Sequence, residues 1–317
     1  MDNRQPFIYL APIRGLTDAL FRRTFFNHFD GYDAAVAPFI NPQKKALYSD
    51  KMLTDVLPEN NSNHTIIPQI LHTDPDDFLL LADRLEKIGH THINWNLGCP
   101  APMVTRKKRG SGLLPYPEKI SDFLARVIPK LGIELSIKTR LGLNNITEIQ
   151  TLLPMLNQFP LKEITIHARL GKQLYKGSAN VEGFKKCQQL SKHTLVYNGD
   201  INSGEQFRLV GQHLPSIQRW MLGRGALGNP FLAEEIKNPS SSNNRVQKKQ
   251  RLLDFHADLY QKYQQRLDGP GHLLSRVKQL WIYLIVSFPG KEKILKRILK
   301  AKTLDRYHSA IGQLFDL

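Results

Sequence analysis

Asn96-Leu97-Gly98-Cys99-Pro100 puts a thiol where a short strand hands over to a loop. The run Ile93-Asn94-Trp95-Asn96-Leu97 is β-branched, aromatic and bounded by breakers, as a buried strand should be. Gly98 lets the chain turn. Pro100 fixes the next φ and removes a backbone donor, so Cys99 sits on a stiffened turn. In parallel α/β folds that position faces the ligand crevice. The alternative is a small buried hydrophobe, which is what most free cysteines are. The strand end alone leaves both readings open. Behind it runs Arg106-Lys107-Lys108-Arg109-Gly110-Ser111-Gly112, a basic loop that carries glycine.

Other apolar runs also end in polar groups. The first ends Ala11-Pro12-Ile13-Arg14-Gly15, a small-residue turn that lets a planar ligand approach the backbone. Gln69 can donate and accept at one heterocycle edge. Further runs end Lys138-Thr139-Arg140, His167-Ala168-Arg169, Asn198-Gly199-Asp200 and Gly223-Arg224-Gly225. Lys138 inside a strand needs an anion or an electron-rich ring to justify its burial. A phosphate-bearing isoalloxazine would supply both; a Schiff-base lysine and a structural ion pair are the alternatives. The last two ends matter separately, because barrels often bind phosphate after strands seven and eight. There Gly199, Gly223 and Gly225 let N–H groups approach, and Arg224 can hold a phosphate bidentately. No Gly-x-Gly-x-x-Gly follows the first strand, which argues against a dedicated Rossmann NAD site.

The elements that must position these groups are strands Ile8–Ala11, Ala34–Ala37, Ile66–Leu71, His92–Asn96, Leu135–Thr139, Ile164–His167, Leu195–Asn198 and Trp220–Leu222. Several read as continuously apolar, as parallel strands buried on both faces do. Helical patterns lie between them: Asp18–Asn27, Asp76–Lys87, Pro117–Pro129, Ile146–Leu156, Glu182–Ser191 and Gly204–Gly211. Thr17 or Asp18, Asp74 or Pro75, and Ser203 fit as helix starts. Eight strand–helix units predict a (β/α)₈ TIM barrel over residues 1–236, with a doubly wound sheet as the other candidate. The stretch 38–59 makes the second unit the least regular.

Lys237-Asn238-Pro239-Ser240-Ser241-Ser242-Asn243-Asn244 is polar and carries a proline, so 237–246 reads as a linker. Beyond it, 247–317 has a helical period and reads as a small bundle. Leu252, Phe255, Leu259, Tyr263 and Leu267 share a face. Val277–Val286 is apolar round most of its circumference. Ile294, Leu295, Ile298 and Leu299 share a stripe that leaves Lys293, Lys296, Arg297 and Lys300 outside it.

Composition narrows the class. The chain has 317 residues, a formal charge of +16 and a pI near 9.8. Residues 237–317 hold 16 Lys and Arg against 6 Asp and Glu, a net +10, leaving 28 minus 22, or +6, before them. Such an excess favours a polyanionic partner. No apolar run reaches the ~18 residues of a membrane span, and no signal-peptide pattern opens the chain. Cys99 and Cys187 cannot form a disulfide framework and lack metal-ligand spacing. A reducing cytoplasm and no bound metal are expected. Cys187 lies in a helical stretch and reads as packing. His256 and His272 have no evident partner.

In order and spacing these motifs resemble the tRNA-dihydrouridine synthases over essentially the whole chain. The resemblance rests on Ala11-Pro12 with Gly15-Leu16-Thr17-Asp18, on Gln69, and on Asn96-Leu97-Gly98-Cys99-Pro100 with Val104 and Gly110. Further on come Lys138-Thr139-Arg140-Leu141-Gly142 and His167-Ala168-Arg169 with Gln173, Tyr175, Gly177 and Ala179. Asn198-Gly199-Asp200 and Gly223-Arg224-Gly225 complete it. It implies an FMN-bound barrel with a helical tRNA-binding domain, reducing the C5–C6 double bond of D-loop uridines in tRNA with NADPH. Carried over by motif, Ala11, Pro12, Ile13, Gln69, Lys138, His167, Asn198, Gly199, Asp200, Gly223 and Arg224 contact FMN. Cys99 donates a proton to C5 while the flavin delivers hydride to C6, and the uridine leaves its stack to reach it. A cluster of cations nearby is then a hazard as well as a help, since the thiol must stay protonated. Asn96, Arg140, Arg169 and Tyr175 fall to the substrate.

This chain departs from the family pattern at Ile13, usually Met, and at Asn94, commonly an acid. The run Arg106-Lys107-Lys108-Arg109 is unusually basic and is expected to bind RNA phosphates. Arg276-Val277-Lys278-Gln279-Leu280 resembles the tail of members that modify position 16, which adds Lys278 to the substrate side. A monomer suits so large a partner. Two other readings are weighed: an FMN barrel acting on a small dihydropyrimidine or enone, and a non-catalytic RNA-binding flavoprotein or chaperone. The first leaves the basic tail unexplained, the second leaves Cys99 without a task.

Overall fold

The computed structural model describes residues 5–42, 48–61, 64–240 and 244–316. Nine strands form one sheet: β1 Phe7–Leu10, β2 Ala34–Val36, β3 Thr65–Ile67, β4 Gln69–Ile70, β5 His92–Leu97, β6 Glu134–Gly142, β7 Ile164–Leu170, β8 Leu195–Asn198 and β9 Arg219–Leu222. Every pairing is parallel, in the order β3-β2-β1-β9-β8-β7-β6-β5-β4. The two end strands are consecutive in the chain, with only Pro68 between them. The expected strand Ile66–Leu71 is therefore two. Pro68 has no N–H to continue the ladder to β2, yet its carbonyl accepts from Asn94 N at 2.8 Å. The chain switches neighbours at this proline, and the barrel closes there. The eight expected strand positions are all present.

The helices wrap the outside. They are α1 Ala19–His28, α2 Asp50–Leu53, α3 Pro75–Lys87, α4 Pro102–Thr105, α5 Pro117–Val127, α6 Thr147–Leu156, α7 Val181–Leu190 and α8 Gly204–His213. Two short helices, α9 Arg224–Gly228 and α10 Leu232–Lys237, follow β9. Their starts follow capping chemistry: Asp18, Asp74 and Ser203 each accept N–H groups of the first turn.

On β5 to β7 the strands alternate rather than run apolar throughout, which corrects that expectation. Ile93, Trp95 and Leu97 belong to the large core under the helices, where Trp95 stacks on Phe123 with centroids 4.1 Å apart. The intervening His92, Asn94 and Asn96 are polar and buried, as are Ser136, Thr165, His167, Arg140 and Arg169 on β6 and β7. With period 2, these line the barrel interior. A small apolar cluster, including Tyr9, Val36, Val196 and Met221, fills the rest. β6 and β7 also run past their expected ends, so Arg140 and Arg169 are strand residues.

The tail comprises α11 Arg245–Arg266, α12 Pro270–Leu284, α13 Glu292–Lys300 and α14 Leu304–Phe315. Residues 241–243 of the expected linker lie outside the described residues. Leu252, Phe255, Leu259 and Tyr263 are buried as their spacing predicts. Ile282 and Val286 are exposed, so the apolar run 277–286 is less buried than expected; Leu299 also leaves its stripe for solvent. Phe255 meets Phe21, Phe25 and Phe29 edge-on, at 5.1–6.0 Å between centroids. Barrel and tail thus share one core. Among the described residues no helix is long and apolar enough to cross a membrane.

Candidate active site

All strands point the same way, so their C-terminal ends gather Cys99 and the other strand-end groups at one mouth. The thiol's turn is held from both sides. Asn96 Oδ1 accepts from Gly98 N at 3.0 Å and from Cys99 N at 2.9 Å. The Cys99 carbonyl accepts from Ser111 N at 3.0 Å and Ser111 Oγ at 3.1 Å. Gly110, at φ +55°, lets the loop fold back so closely that a Cβ there would lie 2.6 Å from the Cys99 oxygen. Arg140 Nε donates to the Gly98 carbonyl at 2.9 Å, and its Nη1 donates to the carbonyls of Leu170 at 3.0 Å and Leu174 at 2.8 Å. It pins the loops after β5 and β7 together. Cys99 itself is half-buried, with its side chain the remaining freedom of the turn.

Around it the cations outnumber the anions. Lys138 Nζ donates to Asn198 Oδ1 at 3.0 Å, while Asn198 Nδ2 donates to the Met221 carbonyl at 2.8 Å. A neutral amide leaves the ammonium charge uncompensated. Burial, and then Arg140, push Lys138 down to about 7, with Cys99 opposing. Arg140 is lowered to about 10, first by burial. His167 falls well below its usual value through burial and then through Arg140, Lys138, Arg169 and Arg224. It is neutral, and Arg169 Nη1 lies 3.3 Å from its Nε2. Asp200 is the one carboxylate that these groups contact among the described residues. It pairs with Arg169 Nη2 at 2.5 Å and Arg224 Nη2 at 3.2 Å, and accepts from Ala179 N at 2.8 Å.

The ends of β8 and β9 sit beside the end of β1. Ala11 N donates to the Leu222 carbonyl at 2.8 Å. A Cβ at Gly223 would meet only the Ala11 Cβ, at 3.5 Å, so this glycine faces open space. Gly225 instead packs its backbone on the Ile201 carbonyl, and Gly199 lies against the Tyr197 ring. Ile13 N donates to Thr17 Oγ1 at 2.9 Å, which fixes the turn that carries Pro12 and Ile13. Tyr175 is 55% exposed and lies between two guanidinium groups, 5.3 Å from Arg140 and 5.4 Å from Arg224.

The basic loop divides. Arg106, Lys107 and Lys108 are exposed, and Lys108 lies 4.7 Å over the Tyr116 ring. Arg109 turns inward: its Nη1 donates to Asn41 Oδ1 at 3.1 Å and its Nη2 meets His72 Nε2 at 2.9 Å. Lys278, on α12, donates to the Ala301 carbonyl. His256, which has no evident partner in the sequence, is buried with Nε2 2.8 Å from Tyr307 Oη. Cys187 is fully buried in α7. Sequence reasoning gave Ser111, Asn94 and Ser136 no role in the site. The alternation along His92–Leu97 and Leu135–Leu141 carries the signal for the last two. Among the described residues no cluster of His, Cys, Asp and Glu could hold a metal.

Comparison with known proteins agrees with this arrangement. The family model described as dihydrouridine synthase (Dus) matches residues 9–303. The tRNA-dihydrouridine synthase B of Pasteurella multocida is 31% identical over 229 residues, covering 71% of this chain and 67% of that protein. The probable tRNA-dihydrouridine synthase 2 of Bacillus subtilis is 24% identical over 322 residues, covering 97% and 93%. Among solved structures, the old yellow enzyme homologue of Zymomonas mobilis aligns with a TM-score of 0.55 at 12% identity, covering 74% of this chain and 89% of that one. Morphinone reductase gives 0.54 at 12%, covering 77% and 93%. These two show a shared barrel fold. With the family model spanning nearly its whole length, the chain belongs to the dihydrouridine synthase family.

Proposed function

We propose that this chain reduces the C5–C6 double bond of a D-loop uridine in tRNA, with FMN as bound cofactor and NADPH as electron donor. One observation carries the reading. Lys138 and Arg140 lie beside Cys99, Arg169 and Arg224 stand at the neighbouring strand ends, and Asp200 is the one carboxylate these four contact among the described residues. Such an excess calls for an anionic ligand. The donor set fits FMN: Gln69 offers an amide edge, Lys138 an ammonium with only a neutral partner, and the loops after β8 and β9 offer backbone N–H groups and Arg224. Ala11, Pro12, Ile13, Gln69, Lys138, His167, Asn198, Gly199, Asp200, Gly223 and Arg224 would hold it. Asp200 has only lone pairs to offer, so its part is to orient Arg169 and Arg224. FMN, when bound, supplies the hydride that C6 of the uracil accepts.

Cys99 Sγ gives the proton to C5. Its backbone is fixed on both sides, so the sulfur presents itself without loop rearrangement. The positive field of Lys138 and Arg140 faces the charge left on sulfur. Asn96 keeps one N–H beyond its bond to Gln69 and can meet a uracil oxygen. Arg140 and Arg169 shape the pocket by holding the carbonyls of its loops. The propped, exposed ring of Tyr175 gives a flipped base a surface to stack on. Arg106, Lys107 and Lys108 face solvent and suit RNA phosphates. Residues 1–236 would be the catalytic barrel and 247–317 the tRNA-binding domain, joined by 237–246. Relatives named for tRNA and the net +10 of residues 237–317 support that substrate. Two free thiols suit a reducing cytoplasm, and a monomer suits the size of the partner.

The test is reconstitution with FMN, NADPH and unmodified tRNA, followed by dihydrouridine mapping at single-nucleotide resolution. Dihydrouridine at one D-loop position, lost in Cys99→Ala, is the expected result. None formed by the native protein would overturn the reading; full formation by the variant would overturn the role of Cys99.

A further inference from the structure

Two backbone N–H groups fix the orientation of three linked amides in the barrel interior, those of Asn96, Gln69 and Asn94. Gly98 N and Cys99 N donate to one atom of the Asn96 side chain, which must be its oxygen. The other atom is then a donor, and it meets Gln69 at 2.7 Å, so that atom is Gln69 Oε1. Gln69 Nε2 in turn donates 2.7 Å to Asn94 Oδ1. Asn94 Nδ2 is left to donate 2.8 Å to Ser136 Oγ. Ser136 accepts there, so its own hydrogen goes to His92 Nε2 at 2.7 Å or to the Ile93 carbonyl at 3.3 Å. With the imidazole proton on Nδ1, His92 Nε2 accepts that hydrogen; with the proton on Nε2, His92 donates to Ser136 and the hydroxyl donates to the Ile93 carbonyl. Each of these side chains is at least nine-tenths buried.

We propose that Asn94, seated on Ser136 and His92, is the positioning residue that fixes Gln69 and, through Asn96, the turn of Cys99. Asn94 is the one member that both accepts from Gln69 and donates away from the mouth. Without its oxygen, Gln69 Nε2 loses its buried acceptor, and only the bond from Asn96 is left to hold the amide. A reversed Gln69 would point a nitrogen at the donor Nδ2 of Asn96. It would also present the opposite donor–acceptor pattern to a ring at the mouth. Burial holds His92 down to about 4, so the neutral form persists through ordinary pH. The part that concerns a ring ligand rests on the flavin reading above; the proton pattern does not.

Two variants decide it. Asn94→Asp keeps an acceptor for Gln69 but has no hydrogen for Ser136. The hydroxyl must then donate to the carboxylate and accept from His92, so Nε2 of His92 must carry the proton. ¹⁵N NMR of the histidine-labelled full chain reads this directly without cofactor, with His92→Gln to assign the signal. Asn94→Leu removes both bonds and should raise the FMN dissociation constant by roughly tenfold or more, as expected for a buried donor left without a partner. Asn94→Asp should change that constant by less than about threefold, because the acceptor survives. An unprotonated Nε2 in Asn94→Asp overturns the proposal, as does FMN affinity unchanged in Asn94→Leu. Should the leucine variant not fold, the tautomer of Asn94→Asp still decides. Should the native protein bind no FMN, the cofactor reading fails while the tautomer result stands on its own.

Discussion

Lys138 Nζ rests 3.0 Å from Asn198 Oδ1, and it makes no ion pair among the described residues. Its proton is therefore weakly held, with the ammonium lowered to about 7 from an ordinary 10.5, mainly by burial. Between those values the unfolded chain carries more protons than the folded one. Stability gained from this group thus rises with pH across about 7 to 10.5, and the full penalty is present below 7. An anion in the mouth reverses the balance by restoring the proton. Binding of FMN at pH 8 should take up close to one proton, and at pH 6 close to none. Calorimetry in two buffers of different ionisation heat measures this. Equal heats at pH 8 would show that Lys138 does not meet the anion.

Arg140 holds three carbonyls from two loops, which no lysine can reproduce, because one ammonium lacks the planar fork. Arg140→Lys should lower stability by about 1–3 kcal/mol through carbonyls left unpaired. Turnover should fall with it, since Gly98 precedes the thiol. Thermal unfolding gives the first number. Hydrogen exchange at Cys99 and Leu174 shows whether both loops loosen together.

The split of the basic loop separates two effects that the sequence merges. Arg106, Lys107 and Lys108 face solvent, so replacing all three with Ala should flatten the salt dependence of tRNA affinity by roughly 0.7–0.9 in slope for each phosphate no longer neutralised. Arg109 is engaged by His72 and Asn41. Arg109→Ala should leave that slope nearly unchanged and reduce turnover instead. A slope that falls as much in Arg109→Ala would place this residue on RNA.

Strand positions and barrel closure were legible because buried parallel strands need apolar runs between breakers, and every one of those runs is a strand. The strand-end groups were legible for the same reason, since chemistry at a barrel mouth must follow a strand. Local pattern could not say where a side chain's partner comes from. Arg109 reads as one more cation in Arg106–Arg109, yet its partners are 37 and 68 residues away in sequence. Lys278 sits in a tail motif that suggests RNA, while its ammonium caps the carbonyl of Ala301. Pro68 lay inside one apolar run, and only the closed ladder reveals that it divides two strands. Asn94 and Ser136 were hidden by reading runs as continuously apolar when their alternation marks an inner face.

Asp18 joins the tail to the first strand-end turn. Its Oδ1 accepts from Phe21 N and from Tyr263 Oη, both at 2.9 Å, and its Oδ2 pairs with Arg276 Nη2 at 2.6 Å. Arg276 also donates to the Gly15 carbonyl. One guanidinium therefore links α12 to the turn that follows Ala11, Pro12 and Ile13. Both partners are mostly buried, so Arg276→Ala should cost about 1–3 kcal/mol of stability. The turn should also loosen, weakening FMN binding although Arg276 is not at the mouth. Lys278→Met, two residues on, removes a bond within the tail alone and should lower stability without changing FMN affinity. Fluorescence titration of FMN into both variants compares them. If Arg276→Ala binds FMN as the native chain does, the tail merely docks on the barrel; if it binds several-fold more weakly, the tail helps set the cofactor loop.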